Sequence, residues 1–265
     1  MELIAEIADW SLPAFALLLF VIEVAGYAAG YLIGQRWRIK RGAEAEGIGL
    51  IASGILGLLT FVLALTLSYA NTRFMERRHA ALEEANAIGT AWLRAHAVDD
   101  VRSREIAKLL EDYTRQRKFF VQGHRGSADL DEVNSRTSNL QSQIWERMTE
   151  ISRERTDPVV VALMQALNET FDKSTAQRFA FDARYPPQMF WLLIGMALVS
   201  ISALGYQFGL KGQKSYVLVG TLIAVWTAVI VVILDINAPR IGSIRTGAAV
   251  YDWTLHGFKS GSRVP

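Results

Sequence analysis

Pro13-Ala-Phe-Ala-Leu-Leu-Leu-Phe-Val-Ile-Glu23-Val-Ala-Gly26-Tyr-Ala-Ala-Gly30-Tyr-Leu-Ile-Gly34 is apolar for about the 20 residues that a helix needs to cross the hydrocarbon core of a bilayer. Runs of the same length and character occupy Ile48 to Ala70, Gln188 to Gly209 and Tyr216 to Ile236. The four runs form two pairs, and a charge-rich insert separates the pairs. The expected fold is an all-α integral membrane protein with four transmembrane helices and a helical-bundle insert between the second and third. The corresponding boundaries are 1–70 for the first pair, 71–187 for the bundle, 188–236 for the second pair and 237–265 for a C-terminal tail.

Composition agrees. The chain is 51% hydrophobic with a mean hydropathy of +0.19, too apolar for an ordinary soluble domain, while its 20% charged residues lie almost wholly outside the runs. Only Glu23 is charged well inside a run; Asp235 sits at the last turn of the fourth. From Asn71 to Gln188 there are 18 Lys and Arg against 18 Asp and Glu, a neutral balance that offers no basic face to nucleic acid. No cysteine is present, which excludes disulfides and thiolate metal sites. The N-terminus carries Glu2, Glu6 and Asp9 and lacks the positive region of a secretory signal, so the first span is expected to be retained. The chain is expected in the cell (inner) membrane, multi-pass, with the lipid bilayer as its surroundings. Arg36, Arg38, Lys40 and Arg41, with Lys211 and Lys214, put the short loops on the cytoplasmic side under the positive-inside rule; Arg73, Arg77, Arg78, Arg178, Arg184, Arg240 and Arg245 at the opposite ends weigh against it.

The insert reads as helical throughout. Between Ile48 and Ile88 there is no proline and no glycine after Gly57, so the second span is expected to continue into the insert as one helix. Asp99 and Asp100 offer N-cap chemistry to a segment with Ile106, Leu109, Leu110, Tyr113 and Phe120 at helical spacing, ended by Gly123 and Gly126. Leu130, Val133, Thr137, Leu140, Ile144, Met148 and Ile151 make a second stripe. Asp157-Pro158 opens a third helix through Leu163, Leu167 and Phe171, closed by Pro186 and Pro187. About four helices, counting the continued span, are expected.

Three features of the spans point towards function. Gly26, Gly30 and Gly34 recur every four residues, a spacing that lets a second helix approach closely, whether from the same subunit or from another. Glu23 falls on nearly the same face, and a carboxyl in the bilayer must be protonated, hydrated or paired. It is the candidate functional ionisable group, with a hydrogen bond to a backbone carbonyl, Thr60 or Ser68 as its purely structural alternative. Ser53, Gly57, Thr60, Ala64, Ser68 and Asn71 follow one another at three or four residues along the second span, a small and polar stripe. Such a stripe lines a hydrated path, or else packs against another helix with its hydroxyls returned to their own carbonyls.

The runs Gly54-Ile-Leu-Gly-Leu-Leu-Thr-Phe61, Glu84-Ala-Asn-Ala-Ile-Gly-Thr-Ala-Trp-Leu-Arg94, Ala166-Leu-Asn-Glu-Thr-Phe-Asp172, Leu204-Gly-Tyr-Gln-Phe-Gly-Leu210 and Asp235-Ile-Asn-Ala-Pro-Arg-Ile-Gly242 resemble an uncharacterised bacterial family described as bestrophin-like. Glu84, Asn86, Gly89, Asn168, Asp172, Asp235, Pro239 and Arg240 are the polar and conformationally special members of those runs. Bestrophins are oligomeric anion channels, typically pentamers, with four spans, a helical region after the second and a pore lined by the second. The resemblance therefore implies self-association, small inorganic ions as passengers and a bundle in the cytosol. Two departures are visible: no acidic cluster like the calcium clasp of animal bestrophins follows the fourth span, and Phe61 is the only aromatic residue in the interior of the second, so no aromatic triplet forms a neck.

Other motifs carry less. Gly47, Gly49 and Gly54 imitate a phosphate loop but open an apolar span with no preceding strand. His79, His96, His124 and His256 are scattered, so neither a metal site nor a cofactor is expected. No Gly-x-Ser-x-Gly or comparable nucleophile setting appears, and nothing supports enzymatic activity. Glu83 and Glu84 read as a solvated face, Asn86 as a residue packed into the bundle, and Arg115, Arg117 and Lys118 as surface cations or the lining of an anion vestibule. The function expected is a homo-oligomeric anion channel with the second span about the axis. The alternatives are a proton-driven stator-like unit using Glu23, and a non-conducting scaffold or sensor whose insert binds a partner.

Overall fold

A computed structural model describes residues 12–41, 45–123, 128–183, 186–240 and 242–261, and among these every regular element is a helix. In chain order they are α1 (Leu12–Arg41), α2 (Ala45–Ala97), α3 (Val101–Gln122), α4 (Ala128–Glu154), α5 (Pro158–Asp182), α6 (Pro187–Lys211), α7 (Tyr216–Asn237) and α8 (Ala249–Gly261). Four of them are long and apolar enough to cross a membrane: α1, α2, α6 and α7. Each contains one of the four runs. The acidic N-terminal residues Glu2, Glu6 and Asp9, together with His124, Gly126 and Arg184, lie outside the described residues.

The chain divides into two compact units, one made of residues up to Thr72 with 184–238, the other of 73–183 with 239–265. In the first, α1 lies along α6 and touches α7. A Cβ built on Gly30 would fall on the carbonyl of Ser202, and one on Gly34 on that of Tyr206. The relation is mutual, for a Cβ on Gly205 or Gly209 of α6 would meet the carbonyl of Tyr27 or Tyr31. Bare backbones thus run against each other, the close approach that gives transmembrane helices their dispersion contact where lipid offers no hydrophobic driving force. Leu19, Leu59, Leu63, Leu193, Ile201, Ile223, Ile230 and Ile233 fill the remaining space. Gly212, in the left-handed region at φ 66°, ends α6.

The second unit holds the far half of α2 with α3, α4, α5 and α8. With no proline in it, α2 runs unbroken past Ile88 to Ala97, with Gly89 inside the helix. Asp100 caps α3 reciprocally: its carboxylate accepts from Arg102 N at 2.8 Å while its own N–H donates to Ser103 Oγ at 3.1 Å. Asp157 caps α5 through Val159 N and Val160 N, with Pro158 at the first helical position. The apolar stripes read from the sequence meet in one core of Ile88, Trp92, Ile106, Leu110, Tyr113, Phe120, Ile144, Met148, Ile151, Leu163 and Leu167. Pro186 and Pro187 open α6 rather than closing α5, which ends at Asp182. The bundle also has a fifth member. Helix α8, from the stretch read only as a tail, packs against α3 and buries Tyr251 and Phe258. The spacing of Tyr251, Leu255 and Phe258 is helical, but thirteen residues show too short a pattern to stand out.

Candidate functional site

Helix α2 sorts its residues by face. Ala52, Leu59, Leu63, Thr66 and Ala70 are buried, and on the opposite side Ser53, Gly57, Thr60, Ala64, Ser68 and Asn71 are all exposed. A Cβ added at Gly57 would meet nothing within 4 Å. Among the described residues the whole stripe is therefore an exposed face of its subunit. Ser53 Oγ donates to Gly49 O at 2.9 Å and Thr60 Oγ1 to Leu56 O at 3.0 Å, which leaves the hydroxyl lone pairs facing outwards. Beside the stripe stand exposed Leu58, Phe61 and Leu65, an apolar flank suited to lipid or to a neighbouring helix.

Glu23 does not share that face. It is fully buried, and its Oε2 accepts a 2.9 Å hydrogen bond from Thr227 Oγ1 of α7; Oε1 has no partner among the described residues. Thr60 and Ser68, the partners expected from sequence, are on the uncovered side of α2, and the fourth span supplies the hydroxyl instead. Nothing in the spacing of a single run could identify a partner in another. Gly26, Gly30 and Gly34 meet Leu198, Ser202, Tyr206 and Leu210 of the same chain, so the glycine face is used inside the subunit. The matching signal, Gly205-x-x-x-Gly209, was present in the third run.

In the bundle, the expectation of a solvated Glu84 is overturned: the side chain is fully buried. Arg117 Nε donates to its Oε1 at 2.5 Å and Tyr251 OH to its Oε2 at 2.6 Å, with Tyr113 OH at 3.4 Å from Oε1. Gln177 joins Arg117 to Tyr251, accepting from the guanidinium and donating to the phenol. Four helices and α8 contribute to this cluster because Gln141 of α4 donates to Tyr113 OH at 3.2 Å. Burial pushes both phenols up, and the Glu84 carboxylate pushes them further. Burial alone would lower Arg117; beside Glu84 it stays above its ordinary value. A charge pair out of water survives only when its remaining polar atoms are bonded, and here they are.

The remaining polar and glycine positions differ widely in setting. Arg117 is buried, so the three cations of α3 do not form a vestibule lining; Arg115 pairs with Asp112 and Glu111, and Lys118 with Asp252 at 2.7 Å. Glu83 bonds Lys173 at 3.1 Å and His79 at 3.2 Å. Asn86, expected inside the bundle, is exposed, as are Asn168 and Asp172. Gly89 leaves room for Thr254 of α8, whose Cγ2 a Cβ would meet at 3.9 Å. Asp235 is buried at the end of α7, and Pro239 is half-buried. Arg240 donates to Phe120 O at 2.8 Å and lies over the Phe120 and Phe181 rings at 4.6 and 5.2 Å. Among the described residues no group of three His, Asp or Glu is placed to hold a metal ion.

These elements define a class, a four-span helical membrane protein with a helical bundle inserted between spans two and three. The chain belongs to the bestrophin-like family, whose domain model matches residues 21–251. No curated protein matches it. Among solved structures it is similar to a variant of the bacterial bestrophin homologue from Klebsiella pneumoniae, at 12% identity and a TM-score of 0.69 over 94% of this chain and 97% of that one. A second structure of the Klebsiella pneumoniae homologue aligns at 14% identity and a TM-score of 0.62, covering 92% and 96% of the two chains. One described as a membrane protein aligns at 13% and 0.67, covering 95% and 98%. At these identities the likeness is one of fold.

Proposed function

We propose that this protein is a homo-oligomeric ion channel of the inner membrane, conducting anions along a path lined by α2. The observation that carries the reading is the uncovered stripe Ser53, Gly57, Thr60, Ala64, Ser68 and Asn71, a face with hydroxyls and an amide that its own subunit leaves open. Polar groups at bilayer depth face protein or water rather than lipid, so the stripe is turned towards other copies and the water between them. A cyclic arrangement brings the same face of every copy to one axis. The stripe contains no carboxylate, and the charge that follows it in register is a cation, exposed Arg78, 18 residues beyond Thr60 on the same helix. That balance favours an anion over a cation. The resemblance of the family to bestrophins supports the same assignment.

The setting of Glu23 favours channel over stator. A proton carrier must be reached from both sides, whereas Glu23 is enclosed and bonded to Thr227. Single-particle images of the detergent-solubilised protein test the proposal: rotational symmetry with an axial opening bounded by α2 supports it, and a monomer, or an assembly with α2 at its rim, refutes it.

A further inference from the structure

At the C-terminal ends of α1 and α6, the close packing of the two helices brings one more side chain to a fixed place. A Cβ added at Gly212, which ends α6 in the left-handed region, would fall on the Arg38 guanidinium, so this arginine of α1 lies directly over the glycine. The last carbonyls of α6 are taken by its own backbone: Gly212 N–H donates to Gly209 O at 3.2 Å and Gln213 N–H to Phe208 O at 3.1 Å. Lys211 is the residue before Gly212 and Lys214 the second after it, and all three cations are exposed. No hydrogen bond or ion pair joins any of the three to another described residue. No acid is close in sequence either, for the chain has no Asp or Glu between Glu23 and Glu44 or between Asp182 and Asp235.

We propose that Arg38, Lys211 and Lys214 form a binding site for the phosphate of an anionic phospholipid. A planar guanidinium offers two N–H donors to two phosphate oxygens, and ammonium groups add charge without fixing direction. Here the guanidinium is set in place by the glycine it covers, on a pair of helices whose backbones are in contact, and both lysines stand in one short turn beside it. A lipid, not a soluble phosphate, is the occupant because of what adjoins the cations. Trp37 precedes Arg38 and is exposed at 43%; Tyr216 and Val217, the first residues of α7, are exposed at 63% and 82%. Aromatic side chains at the ends of spans settle at the level of the headgroups, and apolar ones beyond them meet acyl chains. Cations without a carboxylate partner beside such a surface match a headgroup of net negative charge better than a zwitterion. The site is separate from the α2 stripe and does not depend on conduction.

Native mass spectrometry of the full-length, delipidated protein in detergent tests the site. Titrated with phosphatidylglycerol, the parent should bind lipid saturably, and phosphatidylcholine should bind about tenfold more weakly. Arg38→Gln should weaken phosphatidylglycerol about tenfold, the effect of losing one hydrogen bond to a charged group. Arg38→Lys should weaken it too, since it keeps the charge and loses the fork. Lys211→Gln combined with Lys214→Gln leaves α1 untouched and should lower affinity by a similar factor, which keeps the site testable if Arg38 proves necessary for folding. Arg136→Gln, at an exposed cation of α4, is the control and should change nothing. Equal affinity for the two lipids overturns the proposal, as does binding unchanged by Arg38→Lys, the pattern of a diffuse basic surface. Displacement of the lipid by equimolar glycerol 3-phosphate would assign the cations to a soluble phosphate and overturn it as well.

Discussion

Tyr251 of the C-terminal helix donates a 2.6 Å hydrogen bond to the buried carboxylate of Glu84, 167 residues earlier in the chain. With Arg117 on the other carboxylate oxygen, this bond fastens α8 to the core of the bundle. Tyr251→Phe keeps the ring and removes the donor, and should cost about 1.5–3 kcal/mol as a lost bond to a charged group. Arg117→Met should cost more, about 3–5 kcal/mol, because it strands a buried carboxylate. Thermal unfolding of the two variants should give that order.

Alkaline pH should loosen the same cluster. The raised phenol values of Tyr113 and Tyr251 mean that the fold holds protons which the unfolded chain releases near 10. Their contribution is therefore complete below about pH 10 and is lost as pH rises through the folded values. The bundle's melting temperature should fall on the alkaline side, and the fall should be shallower in Tyr113→Phe, which has one fewer buried phenol to ionise.

Two glycine substitutions should move in opposite directions. Gly30→Ala drives a methyl onto the Ser202 carbonyl and should destabilise the α1–α6 pair, whereas Gly57→Ala meets open space. At Gly57 the gain in helix propensity, about 0.8–1 kcal/mol, has nothing in the subunit to oppose it. Melting in detergent should separate them; a tolerated Gly30→Ala would show that the two backbones are not in contact.

Glu23→Gln should leave folding and anion flux intact, since the amide oxygen still accepts from Thr227 and no path residue is touched. If the substitution instead abolishes a proton leak measured in liposomes with a pH dye, Glu23 carries protons and the stator reading is correct.

The spans and their insert were legible because each is a local pattern: unbroken apolar length, the helical stripes of α3 to α5, and the caps at Asp100 and Asp157. The α2 stripe was legible too, since a face is defined by spacing alone. What spacing could not supply was the partner across space. Glu84, between Glu83 and Ala85 on a charged stretch, looks solvated until Arg117 and Tyr113 of α3 and Tyr251 of α8 are brought to it. Thr227, Gly205 and Gly209 were hidden for the same reason: their meaning depends on which span packs against which.

Anion flux through purified protein in liposomes tests the central claim most directly, read with and without a ring placed in the proposed path. Protein reconstituted in its assembled form should pass chloride, and Thr60→Phe and Ala64→Phe, on the uncovered side of α2, should reduce that flux while leaving assembly mass and melting temperature near those of the parent. Flux unchanged by either substitution in correctly assembled protein would contradict the assignment of α2 to the path.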